Sequence, residues 1–198
     1  MALIIGNRFV IRRPCETGNF PGRLPIILGR GRAFGSGEHE TTHSCLEELE
    51  KIPLTGAAKV LDVGCGSGIL AIAAARLGAA KVVAFDPYRH AITTACGSVM
   101  LNGLEDRVLL YRGELAALKD KNYSLIMANL YGDILLGMLG ELCGKLASGG
   151  LLLLSGILYE YAFDIKEKAP AYGCELEKAH YLEEYTTLIF KRGRPPSP

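Results

Sequence analysis

The sequence predicts an α/β fold whose mostly parallel sheet ends in an antiparallel hairpin, and three observations carry this. First, the apolar runs Lys59–Val63, Lys81–Phe85, Arg107–Tyr111, Ser124–Ala128 and Leu151–Ser155 have strand length, and the helical patterns Ile69–Leu77, Arg89–Leu101, Asp133–Leu146 and Tyr159–Ala169 lie between or after them. Strands spaced by helices build parallel sheets covered on both faces. Second, the rhythm then changes: Cys174–His180 and Tyr185–Lys191 are strand-like runs joined by Leu182-Glu183-Glu184, close enough to pair antiparallel. Third, Lys59–Val63 leads straight into Gly64, Gly66 and Gly68 and then an alanine-rich helix. A backbone without Cβ atoms approaches a ligand closely, and helix N-terminal amides favour anions and polar groups, so this turn reads as a nucleotide-type cofactor site.

With 198 residues and 49% hydrophobic content, the chain is expected to form a single domain over residues 1–198. Residues 1–32 are a lead-in, 33–191 the cofactor-binding core, and 192–198, rich in charge and proline, a loose tail. A formal charge of +1 gives no footprint for nonspecific nucleic-acid binding, and none is expected. The six cysteines contain no C-x-x-C pair, which fits reduced thiols in the cytoplasm. No apolar run approaches the length of a membrane span, and Met1–Ile5 is too short for a signal segment.

In chain order, Leu3–Ile5 and Phe9–Ile11 flank Gly6-Asn7-Arg8 and read as a small hairpin. Pro14–Gly31 carries three prolines and several glycines and reads as irregular chain. Leu46, Leu49 and Ile52 stand at helical spacing with acids on the other face, in a helix that begins near Glu38 or Thr41.

The loop Asp62-Val-Gly-Cys-Gly-Ser-Gly68 has glycine at every second position, whereas a dinucleotide fingerprint places its third glycine where this chain has Ile69. Asp86 closes the next strand, Val82-Val-Ala-Phe-Asp86, where a carboxylate accepts hydrogen bonds from both ribose hydroxyls. Asn129 ends the fourth strand of the core, at the edge where ligands of open α/β sheets bind.

Asp-x-Gly-x-Gly-x-Gly with an acid closing the following strand resembles the S-adenosylmethionine site of the Rossmann-like, seven-stranded methyltransferases. More narrowly, Phe34-Gly-Ser-Gly-Glu-His-Glu-Thr-Thr42, Leu61–Ala74, Asn129 with Asp133, and Leu154-Ser-Gly-Ile-Leu158 are similar to the PrmA family, bacterial enzymes that methylate amino groups of a large-subunit ribosomal protein. The resemblance runs from about Ala33 to Lys191. It implies that Thr42, Gly64, Asp86 and Asn129 contact the cofactor together with the loop glycines Gly66 and Gly68, that Glu114 lies near the adenine or else opens a helix as a solvated acid, and that Asn129 orients the acceptor amine. Methyl transfer from a sulfonium is a direct displacement needing alignment and a dry pocket more than a nucleophile. Glu38 and His39 are possible proton acceptors, or simply loop residues.

The chain departs from the family's pattern at Leu130-Tyr131-Gly132, where the family has a small apolar tripeptide, and at Thr94–Ser98, where Gly97 inside a helix costs about 1 kcal/mol relative to alanine. The stretch before Phe34 is also too short for the family's N-terminal recognition domain. Three classes follow: an S-adenosylmethionine-dependent N-methyltransferase of a protein lysine or amino terminus, a small-molecule methyltransferase, or a noncatalytic binding module. A rival motif, His39-Glu-Thr-Thr-His43, matches the H-E-x-x-H of zinc peptidases. No third ligand follows at the spacing zinc would need, so no metal is expected.

Overall fold

The structure is a computed structural model that describes residues 2–29, 31 and 33–193. Seven strands form the main sheet: β4 (Lys59–Val63), β5 (Lys81–Asp86), β6 (Val108–Arg112), β7 (Tyr123–Asn129), β8 (Leu146–Leu158), β9 (Cys174–Tyr181) and β10 (Tyr185–Arg192). Their spatial order is β6-β5-β4-β7-β8-β10-β9. The first five in that order are parallel, while β10 slots between β8 and β9 antiparallel to both. The expected hairpin is therefore present, with its second strand inserted into the sheet and β9 at the edge. Arg192, expected in the tail, belongs to β10: it pairs with Cys174 and its guanidinium donates to the Leu146 carbonyl at 3.1 Å. Residues 194–198 of that tail lie outside the described residues.

Successive side chains of a strand point to opposite faces, and both faces of this sheet are covered. On one side Val60, Val82, Leu125, Met127 and Leu153 pack with α1 (Glu40–Leu49), α2 (Ile69–Arg76) and α3 (Arg89–Leu101). On the other, Leu61, Val63, Val83, Ile126 and Leu154 pack with α4 (Gly132–Lys145) and α5 (Tyr159–Lys168). Two-sided burial is why these strands read as unbroken apolar runs. Helix α2 is buried along Ile69–Ala75, and its alanines let α1, α3 and the sheet close around it.

The lead-in differs from the sequence expectation in one element. The hairpin β1 (Leu3–Ile5) and β2 (Phe9–Arg12) forms, but a third strand, β3 (Leu24–Ile27), pairs parallel with β2 inside the stretch expected to be irregular. Pro25 hid it, because proline is excluded from central strands. β3 is an edge strand of this small sheet, where a missing N–H is tolerated.

Two buried or half-buried polar side chains fix this sheet to the core. The Glu50 carboxylate accepts the backbone N–H groups of Asn7 (3.0 Å) and Arg8 (2.9 Å), capping the β1–β2 turn. Asn102, at the end of α3, behaves like one more strand residue: its Nδ2 donates to the Ile27 carbonyl at 2.7 Å and its Oδ1 accepts the Ile27 N–H at 3.1 Å. Replacing Asn102 with alanine leaves both Ile27 groups without partners, at a cost of about 1–3 kcal/mol each way such groups are orphaned. The expected outcome for Asn102→Ala is a lower urea midpoint, together with faster amide exchange in Leu24–Ile27 than in β4 or β7.

Candidate functional site

Strand order reverses between β4 and β7, and the crevice beyond their carboxyl ends is where open α/β sheets bind ligands. The β4–α2 loop sits there. Gly64, Gly66 and Gly68 have φ of +68°, +53° and +82°, left-handed conformations that disfavour any side chain. A Cβ on Gly66 would lie 2.5 Å from the Phe34 carbonyl oxygen. That closeness is used: the Ser67 N–H donates to the Phe34 carbonyl at 2.9 Å and the Ser67 hydroxyl donates to the Gly35 carbonyl at 2.6 Å. The Phe34–Gly37 segment is thereby laid over the loop.

Two carboxylates hold the loop from beneath. Asp62, fully buried on β4, accepts the Ala71 N–H at 3.0 Å and so ties the strand to the first turn of α2. Burial pushes its carboxyl up to about 7, against the Ala71 bond and with a small push from the Asp86 charge. Asp86, at the end of β5, accepts the Gly66 N–H at 3.2 Å through Oδ2 and the Tyr88 N–H at 2.9 Å through Oδ1. A carboxylate has about four lone-pair sites, so about two stay available to a ligand.

Above them lies a cavity of about 460 Å³. Gly64, Gly66, Asp86 and Asn129 of the expected site residues line it together. Thr42, Gly68 and Glu114 do not. Thr42 is wholly buried in α1 with its hydroxyl unpartnered, and its neighbour Thr41 faces the cavity instead. Gly68 precedes α2 and serves packing, since a Cβ there would lie 3.3 Å from that of Ala95. Glu114 is exposed, ahead of the 3-10 turn Leu115–Ala117.

The walls include residues that sequence reasoning did not single out: Thr41, Tyr88, His90, Leu130, Gly156 and Tyr185. Tyr88 follows Asp86 by two positions and Gly156 stands in the Leu154–Leu158 motif, so both had a signal. Tyr185, on the last strand, had none. Phe34, Tyr88 and Tyr131 line the cavity while remaining 56%, 65% and 68% exposed, and so form its rim.

His39 caps α1: its Nδ1 accepts the Thr41 N–H at 3.3 Å. The same Nδ1 lies 2.9 Å from the Thr41 hydroxyl, so the cap engages this ring nitrogen and leaves Nε2 outside it. The His39 ring packs between Phe34, tilted at 59°, and Tyr185, edge-on at 67°, at centroid distances of 5.4 Å to each. This cap also occupies the histidine that opens the H-E-x-x-H motif. Among the described residues no group of three His, Cys, Asp or Glu side chains is placed to hold a metal ion.

At the opposite end from Asp86, Asn129 pairs in register with Ser155, and Gly156 follows with φ +80°. A Cβ on Gly156 would lie 2.6 Å from the Leu130 carbonyl oxygen and 3.1 Å from Asn129 Oδ1. Among the described residues, none hydrogen-bonds the Asn129 carboxamide.

A family model described as ribosomal protein L11 methyltransferase (PrmA) matches residues 3–193. The ribosomal protein L11 methyltransferase of Pelotomaculum thermopropionicum is 41% identical over 175 residues, covering 88% of this chain and 54% of the relative. That of an Exiguobacterium species is 36% identical over 173 residues, covering 87% and 55%. The chain thus spans about half the length of these curated relatives. Among solved structures, the crystal structure of a ribosomal protein L11 methylase from Lactobacillus delbrueckii subsp. bulgaricus superposes with a TM-score of 0.88 at 30% identity, covering 98% of this chain and 99% of that one. The seven-stranded sheet is the Rossmann-like methyltransferase fold that the sequence led one to expect.

The raised Asp62 carboxyl has a consequence for stability. Its folded value of about 7 lies above the unfolded one, so the folded chain binds more protons between roughly pH 4 and 7. The stability from this group is present below pH 4 and lost as pH rises through 7. Asp62→Asn keeps an acceptor for Ala71 and cannot titrate. In denaturant melts taken from pH 5 to 8, the stability of Asp62→Asn relative to wild type is expected to improve as pH rises; a pH-independent difference would count against the raised value.

Proposed function

The chain belongs to the ribosomal protein L11 methyltransferase (PrmA) family, and we propose that it transfers a methyl group from S-adenosylmethionine to an amino group of a protein, a lysine side chain or an amino terminus, with ribosomal protein L11 the first acceptor to test. The observation that carries this reading is that one cavity joins the glycine loop and Asp86 to Asn129.

The residues suit the cofactor. Asp86 would take the ribose hydroxyls with the lone pairs left after Gly66 and Tyr88, and the left-handed backbone at Gly64 and Gly66 permits close approach of the nucleoside. The volume of about 460 Å³ falls in the range of small-molecule sites. Thr41, His39 and Phe34 line the same space and offer polar groups and a cover.

Bound S-adenosylmethionine supplies an electrophilic methyl group on a sulfonium. An acceptor amine must arrive neutral, having given its proton to solvent. The cofactor would give that methyl group to the amine lone pair in a single displacement, leaving a neutral thioether, and the methylated ammonium would release a proton to solvent. The Asn129 carboxamide oxygen accepts an N–H of the amine and so aims its lone pair, and Leu130, Tyr131 and Phe34 keep water from the line of attack. Alignment of this kind is the main contribution a displacement needs from the protein.

The test is to incubate the chain with methyl-labelled S-adenosylmethionine and large-subunit ribosomal proteins. Label in L11 supports the reading, label only in small solutes points to a small-molecule amine, and cofactor binding without transfer points to a noncatalytic module. Losing two charge-assisted hydrogen bonds costs about 1.5–3 kcal/mol each, so Asp86→Ala is expected to weaken S-adenosylmethionine binding at least about a hundredfold by calorimetry. Equal affinity would remove Asp86 from the site. Asn129→Ala is expected to keep that affinity while transfer falls.

A further inference from the structure

We propose that Thr187 is a positioning residue for methyl transfer: its hydroxyl is the hub of a one-way hydrogen-bond chain, from His180 through Ser44, Thr187 and Ser155 to the Thr41 carbonyl, that sets the spacing of three cavity walls. This rests on the methyl-transfer reading and adds to it a residue that does not touch the cavity.

The hydroxyls of Ser44, Ser155 and Thr187 are buried, and each stands beside a wall of the cavity. Ser44 lies about one turn after Thr41 on α1, Ser155 precedes Gly156 on β8, and Thr187 shares a strand face with Tyr185 on β10. Strand pairing brings them together. Thr186 pairs with Ile157 and Leu188 with Leu154, so two residues of β8, Ser155 and Gly156, oppose the single Thr187. That bulge lets Ser155 reach Thr187 while Gly156 lines the cavity.

The protons give the chain its direction. Ser44 donates to Thr187 at 2.7 Å, and the Thr187 and Ser155 hydroxyls are also 2.7 Å apart, so only Thr187 is bonded this closely on both sides. A hydroxyl has one proton, and a buried one needs an acceptor. Ser155 donates to the Thr41 carbonyl at 3.5 Å and therefore accepts from Thr187. Cys45 also reaches Ser155, but burial pushes its thiol up to about 12, so it keeps its proton, and thiol sulfur is a weak acceptor. Ser44, its proton engaged by Thr187, can only accept from His180 Nδ1 at 3.4 Å. His180, the cross-strand partner of Thr187, thus carries a proton on Nδ1, which the Glu48 carboxylate faces at 3.7 Å.

Gly66 and Asp86, which would hold the nucleoside, lie outside this chain. Breaking the hub therefore shifts the walls and leaves the cofactor's anchor in place, and a misplacement of about 1 Å costs about a hundredfold in rate. The experiment compares the full chain as wild type, Thr187→Val and Thr187→Ser, with Asn102→Ala as a variant destabilised away from the cavity. Calorimetry reads S-adenosylmethionine affinity, and labelled transfer to L11 reads kcat. For Thr187→Val the expected result is affinity within about threefold of wild type and kcat at least about tenfold lower; Thr187→Ser, which keeps the hydroxyl, and Asn102→Ala are expected within about threefold in both. A Thr187→Val kcat within about threefold of wild type, a serine variant as slow as the valine one, an affinity that falls with kcat, or an equal loss of kcat in Asn102→Ala overturns the proposal. A second measurement needs no variant: at about pH 9, above the ordinary histidine range, ¹⁵N–¹H NMR is expected to find the ring proton of His180 on Nδ1, and a proton on Nε2 alone overturns the chain. If wild type neither binds the cofactor nor transfers a methyl group, the functional reading fails first; if it does both and only the Thr187 or His180 results disagree, the reading stands and the positioning role does not.

Discussion

A turn of backbone is held in place by carboxylates that have given up most of their water. Asp62 reaches from β4 to the first turn of α2, and Asp86 reaches from β5 to Gly66 and Tyr88. Each satisfies backbone N–H groups that a tight turn or a helix start leaves over. The cost is visible in Asp62, whose carboxyl burial raises far above its ordinary value. The return is a loop whose left-handed glycines Gly64 and Gly66 present backbone, and no side chains, to the cavity.

From that loop the rest of the site follows by contact. Ser67 fastens Phe34 and Gly35 over it, and Phe34 continues through His39 to Tyr185 as a row of rings. Helix α1 is fixed behind the row by hydroxyls: Ser44 donates to Thr187 on β10 at 2.7 Å, and Thr187 meets Ser155 on β8 at 2.7 Å. Farther along the same helix the buried Glu48 accepts from Lys178 and Lys51; burial raises its carboxyl, but those bonds outweigh it and hold it below the usual range. Three segments distant in sequence thus form one wall. The small N-terminal sheet, joined through Glu50 and Asn102, closes over α2 and α3 and adds Ile5, Phe9 and Ile26 to the core on that side.

The sheet was legible because two-sided burial writes strands as unbroken apolar runs, and Lys59–Val63 and Arg89–Leu101 appear with the limits their patterns gave. Strand β8 is longer than Leu151–Ser155 because Ala147–Gly150 is too polar and glycine-rich to read as strand, yet pairing with β7 draws it in. Strand β3 was hidden by Pro25, a residue that forbids a central strand but not an edge. Of the residues that line the cavity, Gly64, Gly66, Asp86 and Asn129 were named from spacing and resemblance. Thr42 illustrates the limit: adjacent threonines on a helix point about 100° apart, and only packing decided that Thr41 faces the cavity while Thr42 faces the core.

The sequence by itself determined the layering, the mostly parallel sense of the sheet and the glycine turn, because these follow from local periodicity and from residues that allow or forbid particular φ values. The tertiary structure alone decided which side chains share the cavity. Tyr185 and His39 meet because β10 inserts between β8 and β9. The oxygens of Asn129 and Leu130 converge on Gly156 because register sets Asn129 beside Ser155. Such meetings depend on chain crossings and strand register, which no window of neighbouring residues encodes.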